Sequence, residues 1–269
     1  MTTATTNKNL IEIRDLSVTF PSEAGTVQAV RNVSLDIRAG EVLGIVGESG
    51  SGKTVMSLSM IGLLAESAKI TGTITYNGVN LLSLDDNAMS KYRGKDIAMV
   101  FQDPLSALNP VHTIGRQIAE ALHIHSEISK SAALARAVEL LEIVGIPRPA
   151  ERAQSYPHEF SGGMRQRVMI ALAIANQPKV ILADEPTTAL DVTVQAQILD
   201  VLKTARDITG AAVVLVTHDL GVVAGLADRV AIMYGGKVVE IGNVDDVYAS
   251  PAMPYTIGLL RSIPRIDGT

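Results

Sequence analysis

Eight residues between two apolar stretches have the types and the spacing needed to bind phosphate. Glycines in such a segment let backbone N–H groups turn inward around phosphate oxygens, and a helix beginning there directs its positive end at them. In the pattern Gly-x4-Gly-Lys-Thr, Lys53 would reach the β- and γ-phosphates of a nucleotide, and Thr54 would offer its hydroxyl to Mg²⁺. This Walker A pattern predicts a nucleotide-binding loop, and the alternative is a plain Gly/Ser turn. The residues are Gly47, Glu48, Ser49, Gly50, Ser51, Gly52, Lys53 and Thr54.

Two adjacent carboxylates follow four apolar residues in the stretch VILADEP, Val180–Pro186. Asp184 would lie at the carboxyl end of a strand, where ligands gather in open α/β sheets, and would hold Mg²⁺ through water. Glu185 would polarise an attacking water as a general base. The alternative is a solvated acidic turn.

The stretch FSGGMRQR, Phe160–Arg167, has the composition of a second anion site. Ser161 can cap a helix, and Gly162 and Gly163 expose backbone N–H groups behind it. The helix continues through Val168–Ala175, which is apolar on nearly all faces and is therefore predicted to be buried. Taken alone, this stretch is more simply an ordinary capped helix start.

The elements around these residues follow an α/β pattern. The sequence predicts strands over Leu10–Phe20 and over Val42–Val46, whose continuous apolar run suits burial on both faces. A helix over Val55–Leu64 follows, which gives the loop the strand-loop-helix setting that a phosphate site requires. Apolar strands over Val180–Ala183 and Val213–Val216 come later, with a helix near Thr193–Thr209 between them.

Turn residues and a helical segment complete the secondary-structure prediction. Asn77-Gly78 predicts a hairpin over Gly72–Asn80, and Gly235-Gly236 predicts another over Val230–Gly242. From about Asp103 to Glu159 the chain is predicted to be a helical insertion. Its helix over Ser131–Val144 places four apolar residues at i, i+3, i+4 and i+7, namely Leu134, Ala137, Val138 and Leu141.

Composition excludes several classes of protein. The 269 residues are 47% hydrophobic, enough for a sizeable core, and include no cysteine, which rules out disulfides, zinc thiolates and iron–sulfur clusters. The net charge of −5 gives no basic footprint for nucleic acid. No uncharged apolar run reaches the roughly 18 residues that span a bilayer, and the first residues lack the apolar core of a signal peptide. We expect a soluble chain that can sit on a membrane partner.

The motifs together resemble the ATP-binding cassette (ABC) family over nearly the whole chain. Their order along the sequence makes the resemblance specific, because SGGMRQ lies between the Walker A loop and the Asp184-Glu185 pair. The resemblance implies an α/β fold: a P-loop NTPase (RecA-like) core with an N-terminal antiparallel β subdomain and an inserted α-helical subdomain. It implies one nucleotide-binding domain over 1–269, with the core at about 10–102 and 160–269 and the helical part at about 103–159.

The resemblance also implies further residue roles. Gln102, in VFQDP, would contact Mg²⁺ and water. Asp191, in TALD, would be the D-loop aspartate, in the loop that follows the Asp184-Glu185 pair. His218, in VTHD, would contact the γ-phosphate. Phe20 would stack on adenine, although the ten residues of Pro21–Val30 are expected to separate it from the next strand. The residues expected to act in hydrolysis are Glu185, His218, Lys53 and Gln102, and those expected at Mg²⁺ are Thr54, Gln102 and Asp184.

Longer stretches resemble the dipeptide, oligopeptide and nickel importer ATPases, including VFQDPLSALNP and the late segment Pro254–Pro264. This resemblance implies head-to-tail pairing with a second cassette, two permease subunits docked near Gln102–Pro110, an external binding protein, and a place on the cytoplasmic face of the membrane. The cysteines that many members carry for an iron–sulfur cluster are absent. The chain could be a single cassette or half of a longer protein.

Other functions remain open at this point. Nickel, opines or glycosides are alternative cargoes, because the residues that select the substrate lie on other proteins. A soluble cassette ATPase acting on ribosomes or DNA is a second class, but such proteins usually have tandem cassettes or long coiled coils, and this sequence shows neither. A P-loop small-molecule kinase is a third class, but such kinases lack SGGMRQ and the later histidine, both of which occur in this sequence. His123 and His125 could suggest a metal, but residues two apart do not share a helix face, so a surface pair is preferred.

Overall fold

The computed structural model describes residues 9–23, 25–188 and 190–262. Three parts of the sequence predictions lie outside these ranges: the N-terminal residues in which no signal peptide is expected, Ala189 of the TALD motif, and the end of the Pro254–Pro264 segment. The strands are β1 (Asn9–Ser22), β2 (Gly25–Arg38), β3 (Val42–Val46), β4 (Lys69–Tyr76), β5 (Val79–Asn80), β6 (Ile97–Val100), β7 (Val180–Asp184), β8 (Ala212–Thr217), β9 (Arg229–Tyr234) and β10 (Lys237–Asn243). The helices are α1 (Lys53–Met60), α2 (Asp86–Met89), α3 (Pro104–Ala107), α4 (Ile114–His125), α5 (Lys130–Ile143), α6 (Pro149–Arg152), α7 (Gly162–Ile174), α8 (Val192–Thr209), α9 (Leu220–Ala224), α10 (Val244–Ala249) and α11 (Pro254–Arg261).

The chain forms two compact units, Met1–Met89 with Val214–Thr269 and Ser90–Val213. In the first unit, an antiparallel sheet has the strand order β2-β1-β4-β5, which confirms the predicted N-terminal β structure. Asn77 and Gly78 both have positive φ, 46° and 84°, as a two-residue hairpin turn between β4 and β5 requires.

The first unit also contains a second group of strands. β3 pairs in parallel with β9, and β9 pairs antiparallel with β10 across the predicted Gly235-Gly236 turn. Every residue of β3 is buried, as its unbroken apolar run predicts. The helix predicted over Val55–Leu64 ends earlier, at Met60, because Gly62 adopts a left-handed φ of 61° that stops it.

The second unit pairs β6 with β7 in parallel and packs α7 against α4, α5 and α8. Helices occupy much of the predicted 103–159 segment, and the predicted apolar face of α5 is partly right. Ala137 and Leu141 are buried as predicted, but Leu134 is 48% exposed, and Ala133 and Leu140 complete the buried face instead. Apolar residues lie on both sides of the Ala137–Leu141 line, so periodicity alone could not choose which of them packs inward. Among the helices of the described ranges, none has the length and apolarity to cross a bilayer.

A buried ion pair ties the turn before β3 to β9. Arg229 Nη1 lies 3.1 Å from both carboxylate oxygens of Glu41, and the two side chains are only 12% and 7% exposed. The change Glu41→Ala should lower the free energy of unfolding by about 3 kcal/mol, because it leaves a buried guanidinium without its counter-ion. Urea unfolding followed by circular dichroism measures the change.

The matched control is Glu139→Ala, which removes the exposed i,i+3 pair of Arg136 and Glu139 on α5. Solvent screens that pair, so its loss should change the free energy of unfolding by less than about 1 kcal/mol. Equal effects of the two variants would contradict the role given to Glu41.

Candidate functional site

The predicted phosphate loop, Gly47–Thr54, lies in the first unit between the buried end of β3 and the start of α1, which confirms the predicted strand-loop-helix arrangement. Two of its glycines are sterically required. A Cβ on Gly47 would lie 2.2 Å from the carbonyl oxygen of Met233, and one on Gly52 would lie 2.2 Å from that of Ala29. Gly52 also has a φ of 100°, which side chains rarely tolerate. The loop can therefore follow this path only with glycine at both positions.

Lys53 folds back over the loop. Its side chain is 4% exposed, and Nζ donates to the carbonyl oxygens of Gly47 at 2.7 Å and Glu48 at 2.9 Å. Ser49 and Gly50 are exposed at the tip of the loop, and Thr54 is exposed at the start of α1. The first turn of α1 contains no acidic residue, so its positive end remains available to an anion.

Two other predicted residues also belong to the first unit. His218 follows β8 directly and is exposed; the next residue, Asp219, donates its N–H to Thr217 Oγ1 at 3.0 Å and caps α9. Phe20 is half-buried in β1 and pairs with Val27. The predicted ten-residue separation after Phe20 is wrong, because β2 begins at Gly25 and its β-branched residues extend the hairpin.

In the second unit, the two predicted carboxylates differ in burial and backbone conformation. Asp184 ends β7 and is 3% exposed, whereas Glu185 follows it with a left-handed φ of 45°. Glu185 Oε2 accepts hydrogen bonds from Gln102 Nε2 at 3.1 Å and from Thr188 Oγ1 at 2.9 Å. The fold therefore brings together Gln102 and Glu185, which lie 83 residues apart in sequence.

The SGG segment begins α7 as predicted. Ser161 Oγ accepts a hydrogen bond from the N–H of Met164 at 3.4 Å. A Cβ on Gly163 would lie 2.5 Å from Cγ1 of Val194, so glycine here lets α8 approach α7 closely. Packing therefore requires glycine at 163 but not at 162, where a Cβ would make only ordinary contact with Leu190, at 3.5 Å.

Two arginines of this segment bond within the chain. Arg165 Nε donates to the carbonyl of Pro157 at 2.8 Å, and Arg167 Nη1 donates to that of Gly145 at 3.0 Å. Both side chains therefore brace neighbouring turns.

Three residues that sequence reasoning missed hold this site in place. Thr188 bonds to Glu185, and Gln166, which is 2% exposed, donates to the carbonyl of Phe101 at 3.2 Å. Gln195 Nε2 donates to the carbonyl of Leu190 at 3.0 Å. The sequence signals for these residues are weak. Thr188 places a hydroxyl three residues after Glu185, and Gln166 and Gln195 are polar residues among apolar neighbours on their helices.

Asp191 caps α8, accepting the N–H of Val194 at 3.0 Å, and so marks the end of the loop after β7. A cavity of about 350 Å³ opens beside the same loop within the second unit. Its lining is Gln102, Asp103, Pro104, Leu105, Gly162, Arg165, Gln166, Thr188 and Leu190. This cavity adjoins both the predicted hydrolytic glutamine and the predicted anion-binding glycine.

Two family models match the chain. The model described as ABC transporter matches residues 30–188, and the model described as oligopeptide/dipeptide transporter, C-terminal region, matches residues 239–269.

Curated relatives are similar over most of the chain. A protein named oligopeptide transport ATP-binding protein OppD from Mycobacterium tuberculosis is 58% identical over 259 residues, which are 96% of this chain and 42% of that protein. A protein named dipeptide transport ATP-binding protein DppD from Bacillus subtilis is 53% identical over 262 residues, 97% of this chain and 78% of that protein. The chain thus spans less than half the length of the mycobacterial relative.

Solved structures of cassettes have the same fold. The dimeric post-hydrolysis state of the ATP-binding cassette MJ0796 bound to ADP and Pi has a TM-score of 0.78 at 32% identity, covering 87% of this chain and 98% of that one. The cassette cbiO1 from Clostridium perfringens, part of the transporter complex cbiONQ, has a TM-score of 0.75 at 26% identity, covering 90% and 91%. The predicted α/β P-loop fold is confirmed.

Proposed function

The chain belongs to the ABC transporter family, and we propose that it binds and hydrolyses ATP as the cassette subunit of an importer for oligopeptides or dipeptides. The observation that carries the hydrolytic part is Glu185, held at the end of β7 directly after a buried aspartate and bonded to Gln102. The peptide cargo is supported by the names of the relatives and by the match over residues 239–269.

ATP would bind through the phosphate loop. Lys53 already points its ammonium into the loop, so a phosphate oxygen that arrives there would meet a buried positive charge beside the N-terminus of α1. The two required glycines and the uncompensated start of α1 favour an anion at the same place. Phe20 would stack on the adenine.

The residues proposed for Mg²⁺ fit that ion. Thr54, Gln102 and Asp184 offer a hydroxyl, an amide and a carboxylate oxygen, which are hard ligands. No cluster of three His, Cys, Asp or Glu suited to a metal occurs in the described ranges, so an ion would depend on phosphate and water oxygens, as Mg²⁺ at nucleotides does. When bound, Mg²⁺ would neutralise charge on the β- and γ-phosphates.

Hydrolysis would use Glu185 as the general base. Its carboxylate would accept a proton from the attacking water, and the hydrogen bonds from Gln102 and Thr188 fix the direction in which the oxygen points. His218, exposed at the end of β8, would donate to the γ-phosphate. Each of these roles is carried over from the family onto the matching residue.

A second cassette would complete the reaction. Ser161 caps α7, and Gly162 and Gly163 are its first two residues; in a head-to-tail pair they and Asp191 would face ATP on the partner's phosphate loop. The dimeric solved cassette bound to ADP and Pi supports pairing with a second cassette. ATP would close the pair and hydrolysis would open it.

The remaining partners would belong to a membrane transport complex. We propose that two permease subunits dock on the chain, with a short helix near the cavity that Gln102, Pro104 and Leu105 line, and that an external binding protein delivers the peptide. The chain would then lie on the cytoplasmic face of the membrane. The helical segment at about 103–159 would act as a subdomain within one nucleotide-binding domain.

Affinity isolation tests the transport assignment. The Glu185→Gln chain, expected to hold ATP without hydrolysing it, is purified from detergent-solubilised native membranes in Mg-ATP, and the co-purifying proteins are identified by mass spectrometry. The proposal expects two polytopic permeases, with or without a second cassette. Ribosomal or DNA-repair proteins in their place would support a soluble ATPase and leave only the ATP chemistry.

A further inference from the structure

The helix α11 reaches the phosphate loop through one side chain. The backbone N–H of Glu48 donates to the hydroxyl of Tyr255 at 3.2 Å, although the two residues lie 207 positions apart in sequence. The Tyr255 ring also lies against that of Tyr234, with ring centroids 4.5 Å apart. A residue of the late helix therefore contacts a loop predicted to bind phosphate.

The peptide group that bonds to Tyr255 also bonds to Lys53. The carbonyl of Gly47 and the N–H of Glu48 belong to the same planar unit. Its N–H donates to Tyr255, and its carbonyl oxygen accepts the hydrogen bond from Lys53 Nζ at 2.7 Å. Rotation of this plane would displace both bonds at once. Tyr255 therefore helps to fix the carbonyl that positions the ammonium of Lys53.

The helix is seated on the same hydrophobic core that ends at the loop. Tyr255, Leu259 and Leu260 pack against a buried cluster that includes Ile232 and Val46, the residue directly before Gly47. The residues that anchor α11 and the residue that precedes the loop therefore pack in one hydrophobic cluster.

A carboxylate anchors the start of α11. Glu240, on β10, accepts hydrogen bonds from the N–H groups of Ala252 at 2.7 Å and Met253 at 3.1 Å. Burial alone would raise the pKa of Glu240, but the hydrogen bonds that its carboxylate accepts, these two among them, lower it below its ordinary value. The group is therefore ionised at neutral pH and accepts both N–H groups as an anion.

We propose that Tyr255 is a positioning residue for the phosphate loop, and that the seating of α11 and the binding of nucleotide are linked through its hydroxyl. The inference rests on the proposed function, since it concerns the same loop. Linkage is reciprocal, so a seated α11 raises the affinity for nucleotide and a bound nucleotide protects α11 from opening. The late segment of the chain can then modulate how readily the loop is occupied.

The direct test is Tyr255→Phe, which keeps the ring and its packing and removes only the hydroxyl. Calorimetric titration with ADP should give a Kd about three- to ten-fold higher than that of the unmodified chain, as expected for one lost hydrogen bond. The matched control is Tyr248→Phe, because the Tyr248 hydroxyl donates to the carbonyl of Leu220 rather than to the loop. That control should leave the Kd for ADP within about two-fold.

Two further measurements separate positioning from a general loss of structure. Hydrogen exchange over residues 254–261 should slow on addition of ADP in the unmodified chain and respond little in Tyr255→Phe. Glu240→Ala, which loosens the start of α11, should raise the Kd for ADP in the unmodified background and have little effect in the Tyr255→Phe background. Such non-additivity indicates that the two residues act along one path.

The outcomes distinguish this inference from the proposed function. Failure of the unmodified chain to bind ADP would overturn both. Normal binding by the unmodified chain, with an unchanged Kd and unchanged ADP-dependent exchange in Tyr255→Phe, would overturn the linkage alone.

Discussion

Replacing Glu185 with Gln should reduce the steady-state rate of ATP hydrolysis by at least about a hundred-fold, the usual contribution of a general base. The amide cannot accept the proton of the attacking water. Its oxygen can still accept the hydrogen bonds that Gln102 and Thr188 donate to the native carboxylate, so the turn after β7 should keep its shape. ATP binding should therefore survive, and a dimer of cassettes should accumulate in ATP during size-exclusion chromatography.

Phosphate release under saturating ATP measures the rate. The matched control is Glu142→Gln, an equal change at an exposed position in the last turns of α5, which should hydrolyse ATP at the unmodified rate. Full hydrolysis by the Glu185→Gln chain would refute the assignment of Glu185 as the base and would shift attention to other acidic groups of the second unit.

Replacing Lys53 with Ala should lower the affinity for ATP and ADP by about ten- to a hundred-fold, the effect expected when a hydrogen bond from a charged group is lost. The change removes a buried positive charge. It also releases the carbonyls of Gly47 and Glu48, which the ammonium holds inside the loop. Both effects act in the same direction, and titration with a fluorescent nucleotide measures their sum.

Lys237→Ala is the control for charge, because Lys237 is exposed at the start of β10 in the same unit. Its affinity should match that of the unmodified chain. Circular dichroism of the Lys53→Ala chain should show native secondary structure, so that lost affinity reflects the site rather than unfolding. A folded Lys53→Ala chain with unchanged affinity would mean that the interpretation of GESGSGKT as a phosphate loop is wrong.

Most secondary structure could be predicted because its determinants are local. The unbroken apolar run of β3 predicts burial on both faces, and Asn77-Gly78 predicts a tight hairpin, as the structure confirms. The predictions failed where the determinants are tertiary. The helices packed against α5 decide which apolar residues beside Ala137 and Leu141 are buried, and they cover Ala133 and Leu140 rather than Leu134.

The candidate site was predictable as a set of motifs but not as a network of contacts. The sequence indicates that Gln102 and Glu185 serve one reaction only through a family resemblance, and the fold places them 3.1 Å apart. The bracing contacts of Gln166 and Tyr255 join residues 65 and 207 positions apart, and such long-range pairs leave no periodic or spacing signal. Local patterns thus identified the chemical groups, whereas the structure identified what holds them.

The left-handed backbone of Glu185 sets a conflict between heat resistance and turnover at a single position. A residue with a side chain loses about 1 kcal/mol of folding free energy in the left-handed region that Glu185 occupies. Glycine adopts this conformation without strain, and asparagine adopts it more readily than glutamate does. A library selected only for survival of heating would therefore keep Gly or Asn at 185 wherever relief of this strain exceeds the loss of the hydrogen bonds from Gln102 and Thr188, although the carboxylate is gone. Directed evolution of this chain needs a selection on phosphate release at every round, or position 185 held constant.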